Sequence, residues 1–407
     1  MTTDQRFVIV GGGLAAARAA ETLRDEGFDG AVILVSVEDE LPYERPVLSK
    51  GYQLGTEARE SAYVHDRTWY DEHRIELRLG TWVTGLDRAA RQVQVDGGEP
   101  IAYDKLLLAT GSWPRRIHVP GADLDGVLYL RDLPEADAIK QAIEGGGPIA
   151  IIGAGWIGLE LAAAAREHDV AVTVLEVAAL PLQRVLGDQV SEAIAQLHRD
   201  HGVDLRLGLG VTEITGTDGK VSGVTDANGQ QIEATSVIVG IGVDPQVDWI
   251  AASGITVEDG VLVSASLQTS DPLVYAAGDI ASVDHPVLGR RVRVEHWAMA
   301  NDSGPVAAKA MLGQDVAFDA LPFFFSDQYD VGLEYIGFVA PGEADQVVVR
   351  GDTDSHEFMA FWLVGGEVRA GMHMNLWDFG IDPIKALIGK QVDAGRLADP
   401  DVELADA

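Results

Sequence analysis

FVIVGGGLAAARAAETLRDEGFDGAVILVSVED, residues 7–39, contains four blocks in a fixed order. The apolar run Phe7 to Val10 enters Gly11-x-Gly13-x-x-Ala16, an alanine-rich run follows, and a second apolar run covers Val32 to Ser36. This order predicts a β-strand, a glycine turn, a helix and a parallel β-strand. The first glycine permits the tight turn, and the second lets backbone approach a pyrophosphate. The small third position lets helix and strand pack closely. The helix then offers its unpaired N–H groups and positive dipole end to the phosphates.

The design recurs. PIAIIGAGWIGLELAAAAREHDVAVTVLEV, residues 148–177, places a strand at Ile149 to Ile152, the turn Gly153-x-Gly155-x-x-Gly158, and a second strand ending at Glu176. One such turn is weak support for a nucleotide site. Two complete strand–turn–helix–strand contexts about 140 residues apart point to two dinucleotides and to electron transfer between them. Glu176 stands where an acidic group accepts from a ribose 2′-hydroxyl, and the following VAALPLQR brings no early arginine for a 2′-phosphate. That pattern favours NAD over NADP. In the first turn the equivalent position is Val37, with Glu38 one residue late.

Composition narrows the classes. A chain of 407 residues that is 47% hydrophobic has material for two or three domains. Its net charge of −34 argues against nucleic acid or an anionic membrane as partner. No apolar run reaches the roughly 20 residues that span a bilayer, and the start MTTDQRFVIV lacks the pattern of a secretory leader. The expectation is a soluble cytoplasmic protein. There is no cysteine, so no thiol, disulfide or thiolate-bound metal takes part. LHRDHG sets His198 and His201 three apart without an accompanying carboxylate motif, which predicts a solvated helix end and no metal site.

Further segments punctuate the chain. YDKLLLATGSWPR (103–115) is an apolar strand closed by Thr110-Gly111, and SVIVGIGVDPQ (236–246) ends similarly at Gly240-Ile241-Gly242. Both read as chain crossings between nucleotide domains. LQTSDPLVYAAGDIA (267–281) ends a short strand at Gly278-Asp279, and VEHWAMA (294–300) opens a helix. Beyond about residue 320, LPFFFSDQYDVGLEYIGF and EFMAFWLVGGEVRAGMHM read as antiparallel strands.

The two turns, LPYERPVLSK, LLLATGSWPR, IIGAGWIGLE, YAAGDIA, EHWAMA and FFFSDQYD occur in an order that resembles the FAD-dependent, NADH-linked ferredoxin reductases of oxygenase systems. The likeness runs to about residue 385. It implies an α/β protein with two Rossmann-like dinucleotide-binding domains of the glutathione-reductase type and a C-terminal α+β domain with an antiparallel sheet. The implied boundaries are 1–112 with 243–319 for FAD, 113–242 for NAD, and 320–407 for an interface domain. Carried over residue by residue, it implies FAD contacts from Gly11, Gly13, Leu14, Ala15, Glu38, Arg45, Lys50, Val83, Thr110, Gly111, Arg131, Gly278, Asp279, Glu295, His296 and Trp297. It implies NAD contacts from Gly153, Gly155, Trp156, Ile157, Gly158, Glu160, Glu176, Gly240, Ile241 and Gly242, and no metal. Lys50 and Glu160 are the implied catalytic pair.

Many flavin reductases of similar layout keep a redox-active cysteine pair near LPYERPVLSKGY, residues 41–52; here a lysine stands there instead. A buried lysine needs a partner, and Glu160 is the candidate. Without a thiol, electrons must pass to an external acceptor. The family implies a [2Fe-2S] ferredoxin, and through it an oxygenase, with NADH as substrate. Two alternatives stay open: a flavin reductase with a small acceptor such as a quinone, dioxygen or ascorbate radical, and a redox-sensing protein like apoptosis-inducing factor. Departures from the family occur at Val37 and at Phe323 and Phe325, where relatives often carry Asp and Trp. For docking of an acidic ferredoxin, Arg290, Arg291 and Arg293 in GRRVRVEHW are the expected basic patch, with a solvated hairpin whose arginines neutralise neighbouring acids as the competing reading.

Overall fold

The computed structural model describes residues 5–407. Its packing divides the chain into two units. The first takes the described residues up to Arg45, Arg59–Trp113 and Asp244–Pro322; the second takes Pro46–Ala58, Pro114–Val243 and Phe323–Ala407. The chain thus passes to the second unit at Trp113/Pro114 and returns at Val243/Asp244, close to the two glycine-ended strands.

The first unit is built on a five-stranded parallel sheet in the order Val274–Ala276, Lys105–Leu108, Arg6–Val10, Ala31–Val35, Ile75–Arg78. Its two leading strands bury every residue after the first, as parallel strands covered on both faces require. The helix Leu14–Asp25 covers the sheet with Ala16, Ala17, Ala19, Ala20 and Leu23. Alanine favours this helix by propensity and keeps its face thin. The helix Trp297–Met311 therefore comes very close: a Cβ on Gly304 would lie 2.5 Å from the carbonyl oxygen of Ala15.

The second unit repeats the plan with the order Asp204–Leu207, Val172–Glu176, Ile149–Ile152, Ser236–Val239, Val127–Leu128. The helix Trp156–Glu167 follows its glycine turn. The same unit contains a five-stranded antiparallel sheet ordered Phe323–Gln328, Val331–Gly337, Glu367–Met374, Glu357–Val364, Gln346–Asp352. Its edge strand Phe323–Gln328 packs against the helix Trp156–Glu167, with the Phe324 ring 4.9 Å from that of Trp156 and stacked 4.7 Å from Tyr335. Pro46–Ala58 is pinned in this unit by Gln53, whose Nε2 donates to the carbonyls of Leu48 (2.8 Å) and Ala136 (3.1 Å).

The architecture is the one the sequence predicts. The strand Ile149–Ile152 and the end at Glu176 fall where the pattern puts them, and the first two strands begin one residue earlier. Among the described residues no helix is long and apolar enough to cross a membrane.

Candidate functional site

Both glycine turns have the shape their spacing predicts. Gly11 and Gly153 adopt φ of +134° and +105°, where a side chain is strained. A Cβ on either would also strike a carbonyl oxygen, that of Ala109 at 2.1 Å or Gly240 at 2.3 Å. A Cβ on Gly13 would meet nothing within 4 Å, and one on Gly155 would meet only the Gly240 oxygen, at 3.9 Å. These are open cradles in front of helices whose N-caps, Gly13 and Gly155, make no side-chain cap. The first-turn N–H groups are thereby left for an anion. Gly158 closes against its own strand turn, where a Cβ would lie 2.3 Å from the Gly153 oxygen.

In the first unit, the turn is flanked by Thr110 and Ser112, whose buried hydroxyls have no hydrogen-bond partner among the described residues. Buried hydroxyls without partners are costly, and a dinucleotide beside Gly11 and Gly13 would supply the missing polar groups. The residues present therefore fit FAD. Leu14 and Ala15 are buried at the helix start, and a Cβ on Gly278 would lie 3.2 Å from that of Ala15. Asp279 follows in a short 3-10 turn, Gly278–Ile280.

Glu38 is more occupied than expected. It accepts from the Tyr43 hydroxyl and from Arg45 Nη2 at 2.9 Å, and Arg45 also donates to Tyr43 Oη at 2.9 Å. Burial pulls the Arg45 guanidinium down, while the facing Tyr43, Glu38 and Asp279 more than offset it and leave it raised. Val37 is 40% exposed. Trp297 begins its helix and donates from Nε1 to Glu44 at 2.9 Å. Burial pushes His296 down to about 4 and pushes Glu295 up. Val83 opens the strand Val83–Asp87. Lys50 and Arg131 belong to the second unit, Arg131 just before the helix Leu133–Glu144.

In the second unit, Glu176 ends its strand and is fixed by the backbone N–H groups of Ala154 and Ala178, each at 2.8 Å. Its carboxylate is thus held at the glycine turn. Gly240 packs on Gly153, and Ile241 and Ile157 are part-exposed beside the cradle.

The densest chemistry surrounds Glu160, which is 6% exposed on the helix Trp156–Glu167. Lys50 Nζ pairs with Glu160 Oε1, Ser326 Oγ donates to the same oxygen at 2.7 Å, and Ser49 Oγ donates to Oε2 at 2.5 Å. Lys50 also lies 3.9 Å from Asp327 Oδ2 and 5.6 Å from the centre of the Phe325 ring. Burial raises the Asp327 carboxyl; Lys50 opposes this, and Glu160 and Glu334 add to it. Sequence reasoning paired Lys50 with Glu160 but missed Ser49, Ser326 and Asp327. The signal for them was present in LSK and SDQY, whose polar residues flank Lys50 and follow the phenylalanines.

The histidine of the LHRDHG helix end departs from expectation, and the arginine segment divides. His198 is fully buried, not solvated, and its Nε2 lies 2.8 Å from Gln328 Oε1. The three arginines are not a free patch. Arg291 Nη1 donates to the carbonyls of Val263 (3.0 Å) and Ser282, and Arg293 bridges Asp259 (2.7 Å) and Glu295 (2.6 Å). Arg293 thus neutralises neighbouring acids, as the competing hairpin reading has it, while Arg290 and Arg291 are exposed. The phenylalanines divide: Phe324 is core, while Phe323 and Phe325 are half-buried on the opposite face of the strand.

With this geometry in place, the class is clear. Residues 5–304 match the pyridine nucleotide-disulphide oxidoreductase family and residues 323–407 match the reductase C-terminal family, and the chain belongs to them. It is 40% identical over 403 residues, 98% of each chain, to the ferredoxin–NAD(+) reductase component of an anthranilate 1,2-dioxygenase system of Burkholderia cepacia. It is 35% identical over 402 residues, 98% of this chain and 93% of the other, to putidaredoxin reductase of Pseudomonas putida. The crystal structure of the covalent putidaredoxin reductase–putidaredoxin complex superposes with TM-score 0.94 at 34% identity, covering 100% of this chain and 98% of that one.

The buried Lys50–Glu160 pair makes a stability prediction. Lys50→Met strands a buried carboxylate, a loss of about 3–5 kcal/mol for such pairs. The Lys50→Met, Glu160→Gln double variant removes the stranded charge and should recover part of it. Thermal melts of the three proteins check this; a double variant no more stable than Lys50→Met contradicts it.

Proposed function

We propose that this protein is an NADH-dependent flavoprotein ferredoxin reductase that supplies a [2Fe-2S] ferredoxin, and through it an oxygenase. Its full-length kinship with ferredoxin–NAD(+) reductases carries this reading, and the lack of any cysteine supports it, since no internal thiol can receive the electrons. FAD, when bound, supplies the chemistry of taking two electrons together from NADH and releasing them singly.

The chain's own residues do the rest. We assign FAD to residues 1–112 with 243–319, NADH to 113–242, and partner contact to 320–407. The uncapped N-terminus of the helix Trp156–Glu167 binds the NADH pyrophosphate. Glu176 accepts from the adenosine ribose, and its charge repels a 2′-phosphate. Lys50 is the cation that stabilises arriving negative charge, and Glu160 holds its ammonium in place. We assign the protein to the cytoplasm, which an acidic, cysteine-free chain supports.

The test is a panel of purified ferredoxins assayed for NADH-driven reduction by the yellow, FAD-loaded protein. At least one should turn over rapidly. Turnover of quinone, dioxygen or ascorbate radical at rates that no ferredoxin exceeds would reject the reading.

NADH should be preferred to NADPH by about 1–3 kcal/mol in kcat/KM, the range for hydrogen bonds to a charged group. Glu176→Ala should narrow that gap. Equal or higher kcat/KM with NADPH in the wild type contradicts the role given to Glu176.

A further inference from the structure

Behind Glu160 runs a file of buried polar side chains that the proposed chemistry does not use. Ser326 Oγ donates to Glu160 Oε1 at 2.7 Å, Gln328 Nε2 donates to Ser326 Oγ at 3.1 Å, His198 Nε2 meets Gln328 Oε1 at 2.8 Å, and the Tyr329 hydroxyl meets His198 Nδ1 at 3.3 Å. Ser326, Gln328 and His198 are all buried, and the His201 ring stacks on Tyr329 at 3.6 Å. Strand alternation makes the file possible. Phe324, Ser326 and Gln328 share the face toward the helices Trp156–Glu167 and Gln183–Asp200, while Phe323, Phe325 and Asp327 take the other.

One proton assignment satisfies every atom. A carboxylate paired with Lys50 only accepts, so Ser326 spends its proton on Glu160 and must itself accept from the Gln328 amide nitrogen. The Gln328 oxygen then faces His198, whose Nε2 must carry the proton. Nδ1 is left bare to accept from Tyr329. Burial pushes His198 down to about 4, which keeps the ring neutral and the tautomer single at neutral pH. Every donor therefore points toward Glu160, and aligned hydrogen bonds polarise one another. The file is not a proton relay, because a proton cannot cross the Gln328 amide without converting it to its imidic acid form.

We infer that Ser326, Gln328 and His198 are positioning residues that lock the Glu160 carboxylate, and through it the Lys50 ammonium, in the orientation used for reaction with NADH. The inference rests on the proposed function for its catalytic consequence. It makes the C-terminal sheet a working part of the NADH side of the enzyme and gives the LHRDHG helix end a purpose.

The experiment has two arms on the FAD-loaded protein. Imidazole nitrogen-15 NMR of the wild type should show His198 neutral with the proton on Nε2 at neutral pH, and Gln328→Leu should abolish that single tautomer. A protonated or Nδ1–H ring in the wild type overturns the inference without any variant. Rapid mixing with NADH is the second arm, with Glu160→Gln as reference. Ser326→Ala should lower the limiting rate about tenfold while apparent NADH affinity moves less than about threefold, the split expected for lost orientation. Ser326→Thr, which keeps the hydroxyl, should recover most of the rate. If Glu160→Gln is slow but Ser326→Ala runs at the wild-type rate, the inference fails and the role of Glu160 stands. If Glu160→Gln itself runs at the wild-type rate, the role given to Glu160 fails and the inference falls with it, while the ferredoxin panel still decides the functional reading.

Discussion

A single buried carboxylate, Glu160, organises the chemistry of the second unit. Burying an unpaired carboxylate costs several kcal/mol even after relaxation, so the fold must bring donors to it. It does so from two distant places in sequence: Ser49 and Lys50 from Pro46–Ala58, and Ser326 from the edge strand Phe323–Gln328. Those segments have other anchors, Gln53 on Ala136 and Phe324 on Trp156. Neither set alone explains why polar side chains face inward there. The helix that carries Glu160 also has the uncapped N-terminus assigned above to the nucleotide, so the carboxylate and that proposed cradle share one element.

In the function proposed above, Lys50 takes the place that a cysteine pair holds in disulfide reductases. Disulfide chemistry stores electrons on the protein, whereas a fixed cation only favours their arrival and leaves an external protein to remove them. A cation set between Glu160 and Asp327 is itself restrained, since each carboxylate limits its freedom. Asp327, half-exposed and raised above its ordinary value, is the weaker holder. The anthranilate 1,2-dioxygenase relative, matched over 98% of each chain, is a ferredoxin–NAD(+) reductase component, which agrees with a chain that passes electrons outward.

The parts legible in the sequence were those fixed by local rules. Gly11 and Gly153 have to be glycine for their backbone angles and close carbonyls, so spacing alone places both turns. Antiparallel strands after residue 320 were legible from apolar runs broken by turn residues, as at Gly365-Gly366. What long-range packing decides was not. LHRDHG is polar in sequence, and only the closing of Gln328 over His198 makes that helix end an interior. The Asp259 partner of Arg293 lies 34 residues away in the chain, so that ion pair was not legible. Glu38 was legible only as an acidic residue one place late for the ribose position, and nothing nearby announces that Arg45 and Tyr43 fold back onto it.

The central claim is that the cation held by Glu160 serves the reaction with NADH. Anaerobic rapid mixing of NADH with wild type and Lys50→Met, followed at the flavin absorbance, tests it most directly. The account predicts a limiting rate lower by roughly 10- to 1000-fold in Lys50→Met, as for removal of one electrostatic group, with NADH binding much less affected. A folded, FAD-loaded Lys50→Met protein that is reduced at the wild-type rate would contradict it.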